Sequence, residues 1–555
     1  FNDTATTEIY TLSLHDALPI FTEYEDPFEA EVWPAVTAFE LREACSRQRG
    51  KAAGLDGWLG AELLLFPHSC WLVLARALRV CEELGVFPSV WSFVKQIHLV
   101  KPSSSSDVSL SVPASQLRPI SIFSVLWRAY ASARLKSACV ARWINRVLPA
   151  ALCGGRRGSD VLSIMLRLFE HVDNNRFLGS LDFSKAFDHV RPFSAGAAMV
   201  HTGCPAALVR GILGVWRQRR LLCWGSSVHH EFIGVTESMP QGDPFAVLAL
   251  GLLLRIPVLK LQARFPRLLQ VIYVDDRTWC CDSAAECVEV WNCWERESAR
   301  LGFRENHSKA QFFHRTAQGR KALKTRGCAA SHTVTILGVE VSSSESRGSS
   351  KKELARFQRA MTVLRKCRYL HHGVLRKAHL CTSAAMSAVS WGWCQRAPPN
   401  NLVDKLRQGW RVALDVVRQS SWSLVQLLVG HGSDILFTSG CLLFSAYARL
   451  GHKGLLGDIT WDRCHGTVNR LRSWLGNLGW FEIRPWCWRS GRVCIDLLNV
   501  ACLEDIQGFQ HALSSWRVHQ WNTHRESGRR DSQVGPLDLD SVAVARSYCL
   551  DYGKH

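Results

Sequence analysis

Two adjacent carboxylates, Asp275 and Asp276, are the side chains of this sequence with the clearest chemical potential. They follow residues 270–274, whose β-branched and aromatic side chains are typical of a buried strand, and a second apolar stretch begins at Thr278. The pattern predicts a hairpin with both acids at its turn. Paired negative charges in such a place are costly unless a cation compensates them, so a metal or a base is expected nearby.

A third acid, Asp182, ends a short strand predicted over residues 177–182, and residues 184–188 turn into a helix. A carboxylate at a strand-to-helix junction commonly faces a ligand. It can equally cap the helix that follows. The residues alone leave both interpretations open for Asp182, whereas Asp188 lies beyond the turn and is predicted to be a cap or a structural residue.

Two cations lie on the arms of another predicted hairpin, formed by residues 94–101 and 117–122. Lys101 and Arg118 could clamp a triphosphate, because arginine offers a planar fork and lysine a point charge. The alternative is a pair of solvated surface cations. A basic helix predicted over residues 127–147 and a basic loop at 154–158 are expected to contact backbone phosphates.

The remaining elements of the first half are predicted from local patterns. Gln241 and Gly242 form a turn before an apolar helix at residues 245–254; the glycine permits a close backbone approach, and the glutamine offers a donor and an acceptor. A helix over 283–301, a loop that contains Lys309 and a short strand over 334–339 follow. These elements indicate one α+β domain.

Composition indicates the class of partner. Lys and Arg number 67 against 48 Asp and Glu, a net charge of +19 that favours a polyanion such as nucleic acid. No apolar stretch approaches the roughly 20 residues of a membrane span, so no membrane partner is expected. The 21 cysteines show no zinc spacing, so no zinc is expected, and reduced buried thiols suit an intracellular protein.

Four stretches, in this order, resemble the palm motifs of reverse transcriptases, most closely those of non-LTR (LINE-type) retrotransposons. They are LDFSKAFD from residue 181, MPQGDP from 239, YVDD from 273, and Asn306-x-x-Lys309. KAAGLDGW at 51–58 and LRPISI at 117–122 resemble two upstream motifs of the same group. Each motif alone is weak, but the ordered set, which covers roughly residues 51–339, is specific.

The resemblance implies a right-hand polymerase, an α+β fold with fingers and an antiparallel palm sheet at residues 51–341, after a helical lead-in at 21–50. A polar linker (342–350), a helical thumb (351–430), a helical C-terminal region of unassigned role (431–524) and a weakly ordered tail (525–555) complete the expected division. Residues 1–20 resemble translated sequencing-adapter sequence and are left out of the fold.

The resemblance also implies an RNA-directed DNA polymerase with two Mg²⁺ ions, or Mn²⁺, whose partners are template RNA, a DNA primer or nicked target DNA, and dNTPs. Asp182, Asp275, Asp276 and the backbone carbonyl of Phe183 would hold the ions, and Lys309 would protonate pyrophosphate. The nucleotide-binding residues would be Lys101, Arg118, Phe187 as a steric gate against ribose, Gln241 and Gly242; the primer grip would be Ile336, Leu337 and Gly338.

Three departures from the family pattern leave the metal ligands intact: Ser238-Met239 and Ala246-Val247 around the third motif, and Val274 in place of alanine. Target-primed copying of its own transcript, in a cytoplasmic ribonucleoprotein and the nucleus, is the leading hypothesis. A group II intron maturase-type enzyme and a decayed RNA-binding relic are the alternatives. No endonuclease or RNase H signature is found, so the chain is expected to be the polymerase part of a longer polyprotein.

Overall fold

A computed structural model describes residues 27–100, 117–156, 160–224, 227–235, 237–343, 350–391, 393, 398–415, 434–459, 461, 466–490, 493–500 and 508. Lys101, the segment at 1–20, most of the predicted linker and the tail from 525 lie outside the described residues. The chain divides into two compact units. The first comprises Phe1–Ser159, Phe177–Phe312 and Lys321–Ala329, and the second comprises Asp160–Arg176, Phe313–Arg320 and Ala330–His555.

The α-helices of the described residues are numbered in chain order. They are α1 (Ala38–Ser46), α2 (Gly60–Leu63), α3 (His68–Leu84), α4 (Val125–Lys136), α5 (Ala138–Val147), α6 (Val161–Asp173), α7 (Ala186–His189), α8 (Pro192–His201), α9 (Ala206–Trp216), α10 (Pro244–Arg264), α11 (Ala284–Arg300), α12 (Ala317–Lys324), α13 (Lys351–Cys367), α14 (Val374–Cys381), α15 (Ser387–Ser390), α16 (Asn400–Leu414), α17 (Ile435–His452) and α18 (Gly466–Asn477).

The strands are numbered in the same way. They are β1 (Phe93–Val100), β2 (Leu117–Ile122), β3 (Phe177–Leu181), β4 (Gln218–Trp224), β5 (Ser227–Val235), β6 (Leu269–Tyr273), β7 (Asp276–Cys281), β8 (Gln311–Phe313), β9 (Ala330–Ser331), β10 (Thr333–Ile336), β11 (Val339–Ser342), β12 (Phe481–Arg484), β13 (Cys487–Ser490) and β14 (Val493–Asp496). Both units combine helices with sheets whose strand pairs are mainly antiparallel, so the predicted α+β class is confirmed.

The first unit contains a four-stranded sheet in the order β2-β1-β4-β5. The predicted hairpin is confirmed, since β1 and β2 pair antiparallel with Leu99 opposite Arg118. β1 also pairs with β4, and this pairing is parallel. A parallel partner needs a long crossover, and here the chain passes through α4, α5 and several further elements before it returns as β4.

A second sheet of the first unit carries the three acids, in the order β6-β7-β3-β8, with residues 311–312 of β8 belonging to this unit. β6 and β7 form the predicted hairpin, with Tyr273 opposite Asp276 and a two-residue turn at Val274 and Asp275. β3 pairs antiparallel with β7. Helix α11 lies within the predicted range 283–301, with Ser283 as its N-cap, and packs on β3 and β7.

Helix α10 is longer than the sequence predicts. It begins after its cap Asp243 and continues through Pro257 to Arg264, where residues 245–254 were expected. Its polar residues are satisfied inside the fold, because Arg255 Nε donates to Val147 O at 2.6 Å and Lys260 pairs with Glu297. The helix is long and apolar enough to cross a membrane, yet 67% of its most apolar window is buried in the protein, which is typical of a core helix.

The basic helix predicted over residues 127–147 is two helices, α4 and α5, which meet at Ser137. Arg134 of α4 is buried and pairs with Glu82 of α3, and it also donates to the carbonyl of Pro34 at 2.5 Å. The phosphate-contacting role expected of this helix is therefore wrong for Arg134, whose charge is used inside the protein.

The second unit contains the predicted helices α13 and α16, whose apolar faces share one core that includes Phe357, Leu364, Leu406 and Trp410. The region beyond residue 431, which is expected to be mainly helical, also holds an antiparallel sheet, β12-β13-β14. Trp461, Trp480, Trp486 and Trp488 of this region are buried, and Trp474 is half-buried. Their apolar rings supply a core that a three-stranded sheet can cover.

Candidate active site

Strand register brings the three acids together. Leu181 of β3 lies opposite Arg277 of β7, so Asp182, which follows Leu181, lies opposite Asp276, which precedes Arg277. Side chains directly opposite in an antiparallel pair have Cβ atoms roughly 5 Å apart. Asp275 occupies the adjacent hairpin turn. The hairpin and the strand predicted separately from the sequence therefore place their acids at one end of one sheet.

The electrostatics of the three carboxylates confirm that they are close. Burial raises the pKa of Asp275, and repulsion from Asp182 adds to that rise. Desolvation by the surrounding protein raises the pKa of Asp276 to about 6, with further contributions from Asp275 and then Asp182. Mutually repelling, desolvated carboxylates bind a cation favourably.

Lys309 is the cation next to these acids in the structure. It lies in a short 3₁₀ helix, His307–Lys309, and its Nζ donates to Asp182 Oδ2. The lysine side chain is 61% exposed whereas that of Asp182 is 17% exposed. The Asn306 N–H also donates to Asp182 O at 2.9 Å, so the Asn-x-x-Lys segment binds Asp182 through both backbone and side chain.

The donor chemistry fits a hard divalent cation. Three carboxylates are the oxygen ligands that Mg²⁺ prefers. Phe183 forms an antiparallel bridge with Glu305, in which Asp182 O accepts from the Asn306 N–H and the Ser184 N–H donates to Arg304 O. The carbonyl of Phe183 therefore points away from the Glu305 segment. Within the described residues no group of three or more His, Cys, Asp or Glu side chains is arranged as a preformed metal site. Lys309 occupies one Asp182 oxygen, so an ion would have to replace the lysine there.

The turn that carries Asp275 is held from one side by the segment before α6. The Cys153 N–H donates to Ile272 O and the Ile272 N–H donates to Ala151 O, both at 2.8 Å. Val274 has a φ of 61°, which is rare for a β-branched residue. A Cβ on Gly154 would lie 2.3 Å from the Val274 nitrogen. Gly154 thus lets the two backbones approach. From its sequence, this segment was expected only to be a flexible basic loop.

The Gln241-Gly242 turn contacts β2. The Ser121 N–H donates to Gln241 O at 2.7 Å. Gly242 has a φ of 112°, and a Cβ added to it would lie only 2.5 Å from Ser121 O, so a side chain does not fit there. The Met239 N–H donates to Phe187 O at 2.9 Å. The structure therefore brings Phe187 and the Gln241-Gly242 turn together with the strand that carries Arg118.

Asp243 is a residue of this turn that sequence reasoning did not single out. Its carboxylate is buried, caps α10 by accepting from the Phe245 N–H, and accepts from Trp127 Nε1 at 2.5 Å. Burial raises its pKa to about 6. The cap signal, an acid directly before Pro244 and an apolar run, was present in the sequence.

The other predicted nucleotide-binding residues have different outcomes. Arg118 is exposed on β2 and close enough to Asp275 for its charge to lower the pKa of that acid. Lys101 lies outside the described residues. Of the two cationic side chains predicted to bind a triphosphate, Arg118 is therefore the one that the structure describes, and it lies near the acids.

A cavity of about 850 Å³ lies beside Gly242. The charged residues of its lining are mostly basic: Arg47, Lys51, Arg128, Lys136 and Arg156, with Glu43 as the acid among them. The KAAGLDGW turn forms part of its surroundings, since Arg128 Nη2 donates to Ala52 O and Ser124 Oγ donates to Asp56 Oδ2, each at 2.6 Å. The positive lining suits a polyanionic ligand.

The predicted primer-grip residues lie in the second unit. The single strand expected over residues 334–339 is wrong: β10 ends at Ile336, and Leu337 and Gly338 form the turn to β11 with φ of 46° and 82°. Trp391 Nε1 donates to Leu337 O at 3.3 Å, and Arg356 Nη2 donates to Gly338 O. The residues are therefore at a hairpin tip held by α13 and by Trp391.

Comparison with known proteins adds a family match. Residues 101–341 match the family model described as reverse transcriptase (RNA-dependent DNA polymerase). A search of curated proteins found no match.

Two solved structures are similar to the chain. One is apo telomerase from Candida tropicalis truncated from its C-terminal domain, at a TM-score of 0.33 and 11% identity over 50% of this chain and 59% of that chain. The other is telomerase from Candida albicans in complex with a TWJ fragment of telomeric RNA, at a TM-score of 0.38 and 9% identity over 75% of this chain and 68% of that chain. At such TM-scores neither likeness indicates a function.

Proposed function

We propose that residues 101–341, which match the reverse transcriptase (RNA-dependent DNA polymerase) family model, form an RNA-directed DNA polymerase with a right-hand fold. The chain is proposed to serve a non-LTR (LINE-type) retrotransposon by copying its RNA through target-primed synthesis. The observation that carries the proposal is the register that places Asp182 beside Asp275 and Asp276. The order of the motifs and the net charge of +19 support it. The whole chain is proposed to act inside cells, in a cytoplasmic ribonucleoprotein and in the nucleus.

The site residues have distinct proposed roles. Asp182, Asp275, Asp276 and the carbonyl of Phe183 would hold two Mg²⁺ ions, or Mn²⁺. The ions, when bound, supply activation of the primer 3′-OH and neutralisation of charge on the triphosphate. Lys309, released from Asp182, then lies where it can give a proton to the departing pyrophosphate. Catalysis by this site is mostly positioning and charge stabilisation.

The remaining residues select and hold substrates. Arg118 and Lys101 bind the triphosphate of the dNTP, and the ring of Phe187 excludes a ribose 2′-OH. Gln241 and Gly242 position the nucleotide against the template. The basic cavity beside Gly242 binds phosphates of the template RNA, and Ile336, Leu337 and Gly338 contact the DNA primer.

Primer extension tests the metal assignment. Asp275→Ala is expected to abolish extension of oligo(dT) on poly(rA) and to leave RNA binding largely intact, because the carboxylate contacts the ion and not the template. Asp282→Ala is the matched control: Asp282 follows the other end of β7 and pairs with Arg267 at 3.2 Å on the surface. Equal extension by the Asp275 variant and the control would refute the assignment.

A second measurement tests the retrotransposon subclass. The protein is expected to extend the 3′ end of nicked duplex DNA on an RNA template, as target priming requires. Promotion of splicing of an intron RNA, with no extension from nicks, would instead support the maturase alternative.

A further inference from the structure

A buried arginine lies directly behind the three acids. Arg277 follows Asp276 on β7 and its side chain is 0% exposed. Arginine is rarely buried unless it is paired. The residues that follow Arg277 on its strand include no acid that could pair with it: they are Thr278, Trp279, Cys280 and Cys281. No local pattern in the sequence assigns Arg277 a role.

The partners of Arg277 come from three separate segments. Its Nη1 donates to Glu305 Oε1 at 2.7 Å and to Ser298 Oγ at 3.2 Å, and its Nη2 donates to Glu305 Oε2. Its guanidinium carbon lies 3.4 Å from the centroid of the Phe183 ring. Phe183 in turn stacks on Phe303 with centroids 4.4 Å apart.

Strand geometry places this cluster on the face of the sheet opposite the acids. Arg277 lies opposite Leu181, and opposed residues share a face; Phe183 is two residues beyond Leu181 and shares it too. Asp182 and Asp276 alternate with these residues and face the other way. The Arg277 guanidinium therefore lies behind the acids. It contacts Phe183, which follows Asp182, and Glu305, which precedes Lys309, and Arg277 itself belongs to the strand that begins at Asp276.

Stability alone does not explain the pair of Arg277 and Glu305. Replacing a buried ion pair by apolar residues is often neutral or stabilising, because desolvation offsets the attraction. Arg277 Nε, moreover, is buried with no hydrogen-bond partner among the described atoms, which adds a cost. The rigid, planar guanidinium does, however, fix the positions of three segments relative to one another.

We propose that Arg277 is a positioning residue that fixes the Asp182-Phe183 segment, the Asp275-Asp276 hairpin and the Lys309 segment relative to one another, so that the carboxylates and the Phe183 carbonyl can share divalent ions. The inference rests on the proposed function. It predicts that the arginine controls ion affinity and turnover without touching the substrate.

The test compares Arg277→Lys with Arg134→Lys in the full chain. Both substitutions keep the charge and remove the planar fork of a buried arginine that pairs with a glutamate. Arg134 and Glu82 belong to helices α4 and α3, not to the sheet that carries the acids. Mn²⁺ binding is measured by electron paramagnetic resonance without nucleic acid, alongside thermal unfolding. Below the unfolding transition, Arg277→Lys is expected to weaken Mn²⁺ binding about 10- to 100-fold, whereas Arg134→Lys leaves it unchanged.

Kinetics provide the second readout. Arg277→Lys is expected to lower kcat and to raise the Mg²⁺ concentration for half-maximal extension, with an unchanged KM for the template–primer. The Arg277→Leu/Glu305→Leu double variant removes the pair without leaving a buried charge; it is expected to regain stability but not ion affinity. Recovery of both by the double variant, or equal ion affinity in the two lysine variants, would overturn the proposal.

Wild-type controls separate this inference from the proposed function. If the wild-type protein binds Mn²⁺, loses that binding in Asp182→Asn, and still extends no primer, the polymerase proposal fails. The role of Arg277 is then decided by the Mn²⁺ affinities of its own variants. A wild-type protein with no such binding would overturn both.

Discussion

At the residue scale, Lys309 offsets part of the negative charge of Asp182, Asp275 and Asp276. Lys309 Nζ pairs with Asp182, and its positive charge opposes part of the rise that burial causes in the pKa of Asp275 and of Asp276. The same lysine is proposed as the proton donor to pyrophosphate. An exposed lysine on a short 3₁₀ helix can exchange one anionic partner for another at little conformational cost.

Asp276 provides a pH-dependent prediction for the metal-free protein. Its folded-state pKa of about 6 is above the ordinary 3.8, so its charged form is disfavoured by folding, and this penalty is present above pH 6 and lost as pH falls toward 4. Asp276→Asn is therefore expected to be more stable than wild type at pH 8, by about 1 kcal/mol or less because the side chain is partly exposed. Urea unfolding in EDTA at pH 8 and near pH 4 measures this; a difference that does not shrink at the lower pH would contradict it.

Phe187 provides a prediction about sugar selectivity. The residue is half-buried beside the Gln241-Gly242 turn, and its ring is proposed to collide with a 2′-OH. Phe187→Ala is expected to raise the ratio of kcat/KM for rNTP over dNTP by about 10- to 100-fold, and Phe187→Tyr, which keeps the ring, should not. Unchanged selectivity in the alanine variant would remove the gate role.

At the element scale, the β6–β7 hairpin depends on neighbours that are distant in sequence. Residues 151–154 add backbone hydrogen bonds along β6, β3 pairs with β7, and α11 covers the sheet. The left-handed Val274 is kept in place by this packing, since an isolated valine disfavours such a φ. Strain at a catalytic turn persists only where surroundings determine the conformation.

Gly154 tests that dependence. A Cβ at this position meets the Val274 backbone, so Gly154→Ala is expected to displace the turn and lower kcat by at least about tenfold with a smaller loss of stability. Gly214→Ala is the control: Gly214 lies in α9 with no atom within 4 Å of its added Cβ, and the change should leave kcat alone and stabilise the helix by about 0.5–1 kcal/mol. Steady-state kinetics measures kcat, and thermal unfolding measures stability. Equal kcat values in the Gly154 and Gly214 variants would contradict the prediction.

At the scale of the whole molecule, charge is proposed to govern association with nucleic acid. The net charge of +19 and the basic cavity predict binding through phosphates, with release of counterions.

The salt dependence of RNA binding measures this. If six to ten phosphates are contacted, affinity is expected to fall by about 10³- to 10⁵-fold between about 50 and 200 mM salt. Lys51→Glu, in the cavity lining, should weaken binding and reduce the slope of log affinity against log salt. A flat response in the wild-type protein would contradict the electrostatic mechanism.

Local patterns in the sequence were sufficient for the hairpin at Asp275 and Asp276, the β1–β2 hairpin, helix α11 and the basic charge. The reason is that alternation, capping and turn chemistry act between residues a few positions apart. The family resemblance joined these pieces into one site, and residues 101–341 match that family.

Only the tertiary structure decided the features that depend on distant contacts. The β3–β7 register sets Asp182 opposite Asp276, and the Glu305 segment gives Arg277 a buried partner. Packing carries α10 through Pro257, and tryptophan burial accompanies a sheet where helix was expected. The free energy of such pairings comes from residues far apart in the chain, which no local pattern specifies.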